Sequence, residues 1–473
     1  MILIRSAQIV DGTGAPPFQA DVLLNDDRIA AIGSFPQKRA DLVVNGLGHH
    51  LTPGFIDINS NSDHQLTLFN HPDQKDFLLQ GVTTVIGGMC GSSLAPLLYG
   101  SLESFQKWTD INKTSVNWQT TEELFQFLSR RRLGVNFGTL VGHSTIRRAL
   151  IGGVNRDLTD KELTVFKELL AAALTAGALG LSFGLGYLHS RDTPYHEIKE
   201  LAETVKNGLL AIHLRDDGRG VASAAREVLA LNREIKISAL VSHFQPILGE
   251  EDNYERGLEL LSGAQNIHFD IYPFAVRLLP IYLLLPRWAQ RGDLRQMYLD
   301  ILEPHFQKQV LAELPKFKKG DLRIMEVPGA PHINQAEIEG GGRGLLKAML
   351  MSQLRALVAC RDINEKLLAA AIDHPLALIA SNDGSPPKIR ANTFLRYLTM
   401  TRLPLPAAIR KITALPAEKL GLKNRGLVKE NYTADLTLFD DNKKIQAVFV
   451  SGQPAVLRGD YQNIYAGQII KRG

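Results

Sequence analysis

Eight times between Phe55 and Asp383 a short apolar run gives way to a longer connecting stretch, helical in pattern in most cases. That alternation limits the fold more than any other feature. The runs are Phe55–Asn59, Thr83–Gly88, Val135–His143, Gly180–Leu185, Leu209–Arg215, Ile237–Phe244, Ile267–Phe274 and Leu376–Asp383. The clearest helix between them is Leu158–Ala176, where apolar residues recur at helical spacing behind an N-cap at Asp157 or Thr159. Eight strands with intervening helices predict a TIM (β/α)8 barrel over residues 55–415. About a hundred residues separate the seventh run from the eighth, far beyond an ordinary connection. This stretch holds Trp288, Pro304, Pro315 and Gly340-Gly341-Gly342. It predicts an inserted subdomain at about 284–345 and then a helix over Leu345–Ala371.

Both ends of the chain are written differently. Ile2–Ile4, Ala7–Val10, Asp21–Leu24, Ile29–Ile32 and Leu42–Asn45 are short strand patterns set off by turns such as Gly12-Thr13-Gly14 and Asn25-Asp26-Asp27. Ala434–Phe439, Ile445–Val450 and Ala455–Leu457 return to that style. Residues 1–54 and 416–473 are therefore expected to build one small β-sandwich together.

Composition excludes several function classes. Hydrophobic residues make up 45% of the chain, enough for a full globular core. The net charge is +4 and dispersed, and the densest basic cluster, Arg130-Arg131-Arg132, reads as a solvated helix end. No nucleic-acid surface is expected. Two cysteines, Cys90 and Cys360, rule out a disulfide framework and point to a reducing compartment. Cys360, within a helical pattern, reads as a small core residue. Arg5 interrupts the first apolar stretch, so no secretory signal is expected, and no run approaches membrane-spanning length. The expectation is a soluble cytoplasmic protein with a small-molecule substrate and no membrane partner, compatible with a homo-oligomer.

Polar groups gather at the predicted strand ends: Cys90 after the second, His143 on the third, Tyr187 after the fourth, His213 on the fifth, His243 on the sixth, Tyr272 on the seventh and Asp383 on the eighth. Each alone has an ordinary explanation: a buried thiol as a small hydrophobe, a hydrogen-bonded histidine, a turn aspartate before Gly384, a packed tyrosine. Together they fall at the face where barrel active sites form. Cys90, His213 and His243 are three good zinc ligands, and three ligands plus water is a common hydrolytic arrangement. Asp383, on the opposite strand, is placed to take a proton from that water and return it to a leaving nitrogen. His143 is divided evenly between supporting a ligand and facing the substrate.

The segments IVDGTGAPPFQADVLLNDDRIAAIG, LTPGFIDINSNSD, GVTTVIGGMCGSSLAP, GTLVGHSTIRRALIGG, HLRDDG, SHFQP, FDIYPF, SNDGSP and AAIRKITALPAEKLGLKNRGLVKENYTADLTLFD resemble the D-aminoacylase (N-acyl-D-amino-acid deacylase) branch of the amidohydrolase superfamily nearly end to end. The resemblance implies a tight zinc site of Cys90, His213 and His243, a catalytic Asp383, and pocket tyrosines at Tyr187 and Tyr272. Three departures stand out. The superfamily's strand-one histidine pair is replaced by Asn59 and Asn61, neutral amides that ligate zinc poorly, so a second metal is not expected and both are assigned to the substrate. Gln245 stands where the family commonly has a lysine. The segment after the aspartate is shortened to PPKIRANTF, which leaves Lys388 or Arg390 to meet the substrate. The resemblance favours a mononuclear zinc amidohydrolase of the deacylase type. A cyclic-amide hydrolase of the same fold is one alternative. A barrel that has lost catalysis and only binds is the other, favoured by the asparagines and disfavoured by the joint retention of Cys90, His213, His243 and Asp383.

Overall fold

The computed structural model describes residues 1–100, 102–105, 111, 116–154, 156–382 and 392–472. Asp383, Lys388 and Arg390 lie outside these residues. The eight runs form barrel strands, numbered here β1 (Phe55–Asp57), β2 (Val82–Gly87), β3 (Asn136–Thr139), β4 (Gly180–Gly184), β5 (Leu209–His213), β6 (Ser238–Val241), β7 (Ile267–Ile271) and β8 (Ala377–Ile379). All pair in parallel: β1–β2–β3 in one run and β4–β5–β6–β7–β8 in another. A two-residue strand, Val141–Gly142, carries the third position on to β4. From β8 the chain returns to β1 through Ser381, whose N–H donates to Asp57 Oδ1 at 3.1 Å, and Asn382, whose N–H donates to the Asn59 carbonyl at 2.8 Å.

Parallel strands covered on both faces must be apolar along their whole length. Accordingly β2 and β4 are buried at every residue. Ile56, Ile86, Leu209, Ala211, Leu240 and Leu378 share one core cluster, and Phe137, Phe183, Ile212 and Phe269 share another with the surrounding helices. The helix Asp160–Ala176 shows how local signals agree with this layer. Thr159 caps it in a reciprocal capping box with Glu162, Gly177 ends it at φ 113°, and its buried residues are Leu163, Phe166, Leu170 and Ala173.

The two ends of the chain meet in one nine-stranded sheet. His50–Pro53 runs antiparallel to Leu436–Phe439 and parallel to the second half of Ile2–Ile9. The first half of Ile2–Ile9 pairs instead with Leu42–Asn45, because the strand's register shifts between Ile4 and Ala7, around Ser6 at φ 57°.

Between β7 and β8 the insertion is larger than its sequence suggests. Arg277–Pro280, Leu357–Cys360 and Leu322–Glu326 form an antiparallel three-stranded sheet, covered by the helices Leu294–Leu302, Pro304–Glu313 and Gly341–Met351. The single helix expected over Leu345–Ala371 is two helices, Gly341–Met351 and Glu365–Ala371, with the central strand between them. Cys360 therefore lies on a strand, not in a helix, and burial pushes its thiol pKa up. Both cysteines are buried, and neither is in a disulfide. No helix among the described residues is long and apolar enough to cross a membrane.

Candidate metal centre and substrate cavity

Three strand ends deliver three candidate ligand side chains to one point. Cys90 follows β2, His213 is the last residue of β5, and His243 follows β6. One donor atom from each lies within 4.8 Å of the other two. Cys90 Sγ is 3.4 Å from His243 Nε2, and the two imidazole rings meet edge to face with centroids 4.3 Å apart. Neither Cys90 (φ 52°) nor His243 (φ 37°) keeps an extended backbone. Left-handed conformations in non-glycine residues are uncommon and concentrate at functional sites. Here they turn the side chains inward as the strands end. The glycines of GLSFGLGY make room. A Cβ on Gly184 would meet the Cys90 carbonyl at 2.2 Å, and one on Gly186 would meet His213 Nε2 at 2.6 Å.

The donor set fits a metal cation. The Nε2 of His213 lies 3.0 Å from Asp217 Oδ2, while its Nδ1 is buried with no partner among the described residues. A carboxylate on one imidazole nitrogen fixes the proton there and leaves a lone pair on the other. Burial opposes ionisation of Asp217, but the His213 and His243 imidazoles and the Arg277 guanidinium outweigh it and lower its pKa to about 2. Burial, and then the neighbouring His213, lowers the His243 pKa to about 3, so that ring is neutral near pH 7 and free to donate its lone pair. The backbone N–H of His243 is held by Asp270 Oδ1 at 2.8 Å. Burial raises the Asp270 carboxyl to about 7 against that bond and the one from Asn59.

The cavity over these ligands is lined by Asn61, Tyr187, Asp217, Gln245, Ile247, Tyr272, Arg277, Leu278 and Asn382. Tyr187 packs edge-on against His213 with centroids 4.5 Å apart. Burial, then Cys90, raises its phenol well above the usual range. Asn61 donates to Asn382 Oδ1 at 3.3 Å, next to the position of Asp383 in the chain.

Two residues assigned to the substrate from sequence are placed elsewhere. Asn59 is fully buried beneath the cavity and donates to Asp270 Oδ2 at 3.1 Å. His143 does not end a strand. It opens the helix His143–Ile151, where its Nε2 meets Glu197 Oε1 at 2.8 Å and its Nδ1 lies 3.3 Å from Ser190 Oγ. Arg147 shares that Glu197 oxygen at 3.0 Å, so His143 belongs to a buried ionic cluster behind the barrel wall. Sequence reading missed Asp217, Asp270 and Arg277. Asp217 had a signal, since it stands four residues after a ligand histidine in HLRDD.

A barrel with ligands of this kind at its mouth, joined to a sheet drawn from both ends of the chain, defines an amidohydrolase, a metal-dependent hydrolase of carbon–nitrogen bonds other than peptide bonds. No family model matches the chain. The N-acyl-D-aspartate deacylase of Alcaligenes xylosoxydans xylosoxydans is 30% identical over 468 residues, covering 93% of this chain and 85% of the relative. A solved D-aminoacylase, described as defining a novel subset of amidohydrolases, superposes with a TM-score of 0.82 at 25% identity over 100% of this chain and 99% of its own. The N-acyl-D-glutamate deacylase of Bordetella bronchiseptica, solved with zinc and a phosphonate mimic of the tetrahedral intermediate, gives 0.81 at 24% identity over 99% of each chain. The chain belongs to the N-acyl-D-amino-acid deacylase family of amidohydrolases.

Proposed function

We propose that the protein removes the acyl group from an N-acyl-D-amino acid, using one tightly held zinc ion bound by Cys90, His213 and His243. The observation that carries this reading is the convergence of those three side chains within 4.8 Å at the barrel mouth. Thiolate and imidazole suit zinc. The named activities of the relatives supply the substrate class.

Zinc held there would supply Lewis-acid chemistry, lowering the pKa of water and polarising the amide carbonyl. The chain's own residues do the rest. Asp217 sets the tautomer of His213, and Asp270 holds the His243 backbone. Tyr187 and Tyr272 wall the cavity with phenols kept neutral by burial. Asp383, directly after the cavity residue Asn382, accepts the proton of the attacking water and passes it to the departing nitrogen. Asn61 spends its amide on Asn382, and Asn59 spends its own on Asp270. These bonds use amide N–H groups and leave both carboxamide oxygens unpartnered among the described residues, and neutral oxygens of this kind ligate zinc poorly beside thiolate and imidazole, which supports a single-metal site.

The test is amine release from paired D and L N-acetyl-amino acids by zinc-loaded protein. Asp383→Asn should keep its zinc and lose turnover by about 10²–10⁴. Zinc-loaded protein that hydrolyses no N-acyl-amino acid of either hand would overturn the reading.

A further inference from the structure

The cavity that holds the ligand cluster has a cation supplied by the insertion and not by the barrel. Among its described lining residues, Arg277 is the single lysine or arginine. Asn61, Tyr187, Gln245, Tyr272 and Asn382 are neutral, and Asp217 is engaged with His213. Gln245 commits one of its two amide N–H groups to the Tyr272 carbonyl at 3.2 Å and carries no charge to offer. A carboxylate drawn from water into such a space costs heavily unless it meets a charged donor.

Arg277 is held in a way that leaves it able to be that donor. Its Nε donates to Asp362 Oδ1 at 2.9 Å, and its Nη2 donates to Asp362 Oδ2. This bidentate contact uses the side edge of the guanidinium. Five N–H groups lie in its plane. The outer Nη2 hydrogen and both Nη1 hydrogens remain, and no bond from Nη1 is formed among the described residues. That end edge is the second surface on which a guanidinium grips a carboxylate with two parallel bonds. The support is rigid: Arg277 pairs with Cys360 in the antiparallel ladder, and Asp362 lies two residues further on. The pair is largely sheltered, with Arg277 19% and Asp362 14% exposed.

We infer that Arg277, oriented by Asp362, binds the free carboxylate of the substrate and so restricts the enzyme to N-acylated amino acids over N-acylated amides and amines. This rests on the deacylase reading and adds the residue that selects the charged end.

The experiment compares an N-acetyl-D-amino acid with its carboxamide, using zinc-loaded wild type, Arg277→Gln, Arg277→Lys and the neutral pair Arg277→Gln/Asp362→Asn. Binding of a phosphonate analogue, with its carboxylate free or amidated, is followed by calorimetry. In Arg277→Gln, kcat/KM should fall about a hundredfold on the acid, mostly through KM, and less than about threefold on the amide. Arg277→Lys should recover part of the loss, and the neutral pair should match Arg277→Gln while keeping its fold and zinc. Equal losses on acid and amide, or unchanged binding of the free-carboxylate phosphonate, would overturn the assignment while leaving the deacylase reading standing. A wild type that neither hydrolyses the acid nor binds either phosphonate would overturn both.

Discussion

Replacing Asp217 tests whether the metal centre is organised from behind its ligands. The carboxylate lies 3.0 Å from His213 Nε2 and leaves Nδ1 as the buried, unpartnered nitrogen. A hydrogen bond to a charged group contributes about 1.5–3 kcal/mol, so its loss corresponds to roughly a 10- to 150-fold change in an equilibrium constant. Removing partners of this kind typically weakens metal binding by about 10–100-fold, the same range. Asp217→Ala should therefore raise the zinc dissociation constant by about 10–100-fold. Asp217→Asn keeps an oxygen acceptor for the ring N–H but not the charge, so its loss should be smaller, about 5–10-fold. At 28% exposed, the Asp217 side chain leaves water rather than a dry void when truncated, and global stability should change little. Competition for zinc against a chromophoric chelator gives the constants, with circular dichroism confirming the fold. If Asp217→Ala binds zinc as tightly as the wild type, Asp217 does not organise His213 and the assignment of Nδ1 as ligand fails.

Further outcomes can be checked alongside. Cys90→Ala should abolish tight zinc binding, read by elemental analysis after purification without chelator; unchanged metal content would move the site elsewhere. Glu197→Gln strips the charge that compensates the buried Arg147, so urea titration should show a loss of about 3–5 kcal/mol. Burial, then Lys419, Arg410 and Lys411, lowers the His268 pKa from 6.5 to about 4. The unfolded chain takes up that proton first, so this group's stabilisation is complete above pH 6.5 and is lost as pH falls towards 4. His268→Gln should flatten urea midpoints between those values, removing about 1–2 kcal/mol of pH dependence after allowance for solvent screening.

The barrel was legible because each strand, covered on both sides, had to be a short apolar run with its polar residue held back to the mouth. The convergence of Cys90, His213 and His243 was legible for the same reason. Leu357–Cys360 was not, because four apolar residues between two helices satisfy helical and extended periodicity alike. His143 carried the same outward sign as His213, a histidine closing an apolar run. The two part at the next step of the backbone: after Gly142 the chain turns at once into a helix, whose first turn carries the ring to Glu197. Asn59 and Asn61, two apart, should share one face of an extended chain. The positive φ of 50° at Asn61 breaks that alternation and sends one to the cavity and the other to Asp270. Arg277 escaped notice because the insertion's sheet, and not a barrel strand, brings it to the site.

The sheet shared by the chain ends bears on how the protein is made. Thr52 pairs with Thr437, 385 residues away, within the ladder that joins His50–Pro53 to Leu436–Phe439. At synthesis rates of about 5–20 residues per second, the early strand waits roughly 20–80 s for its partner to leave the ribosome. Through that interval one side of an apolar strand has unpaired N–H and C=O groups, open to a chaperone or to a neighbouring nascent chain. Slowing translation late in the message should therefore lower soluble yield, while the finished enzyme's stability stays the same.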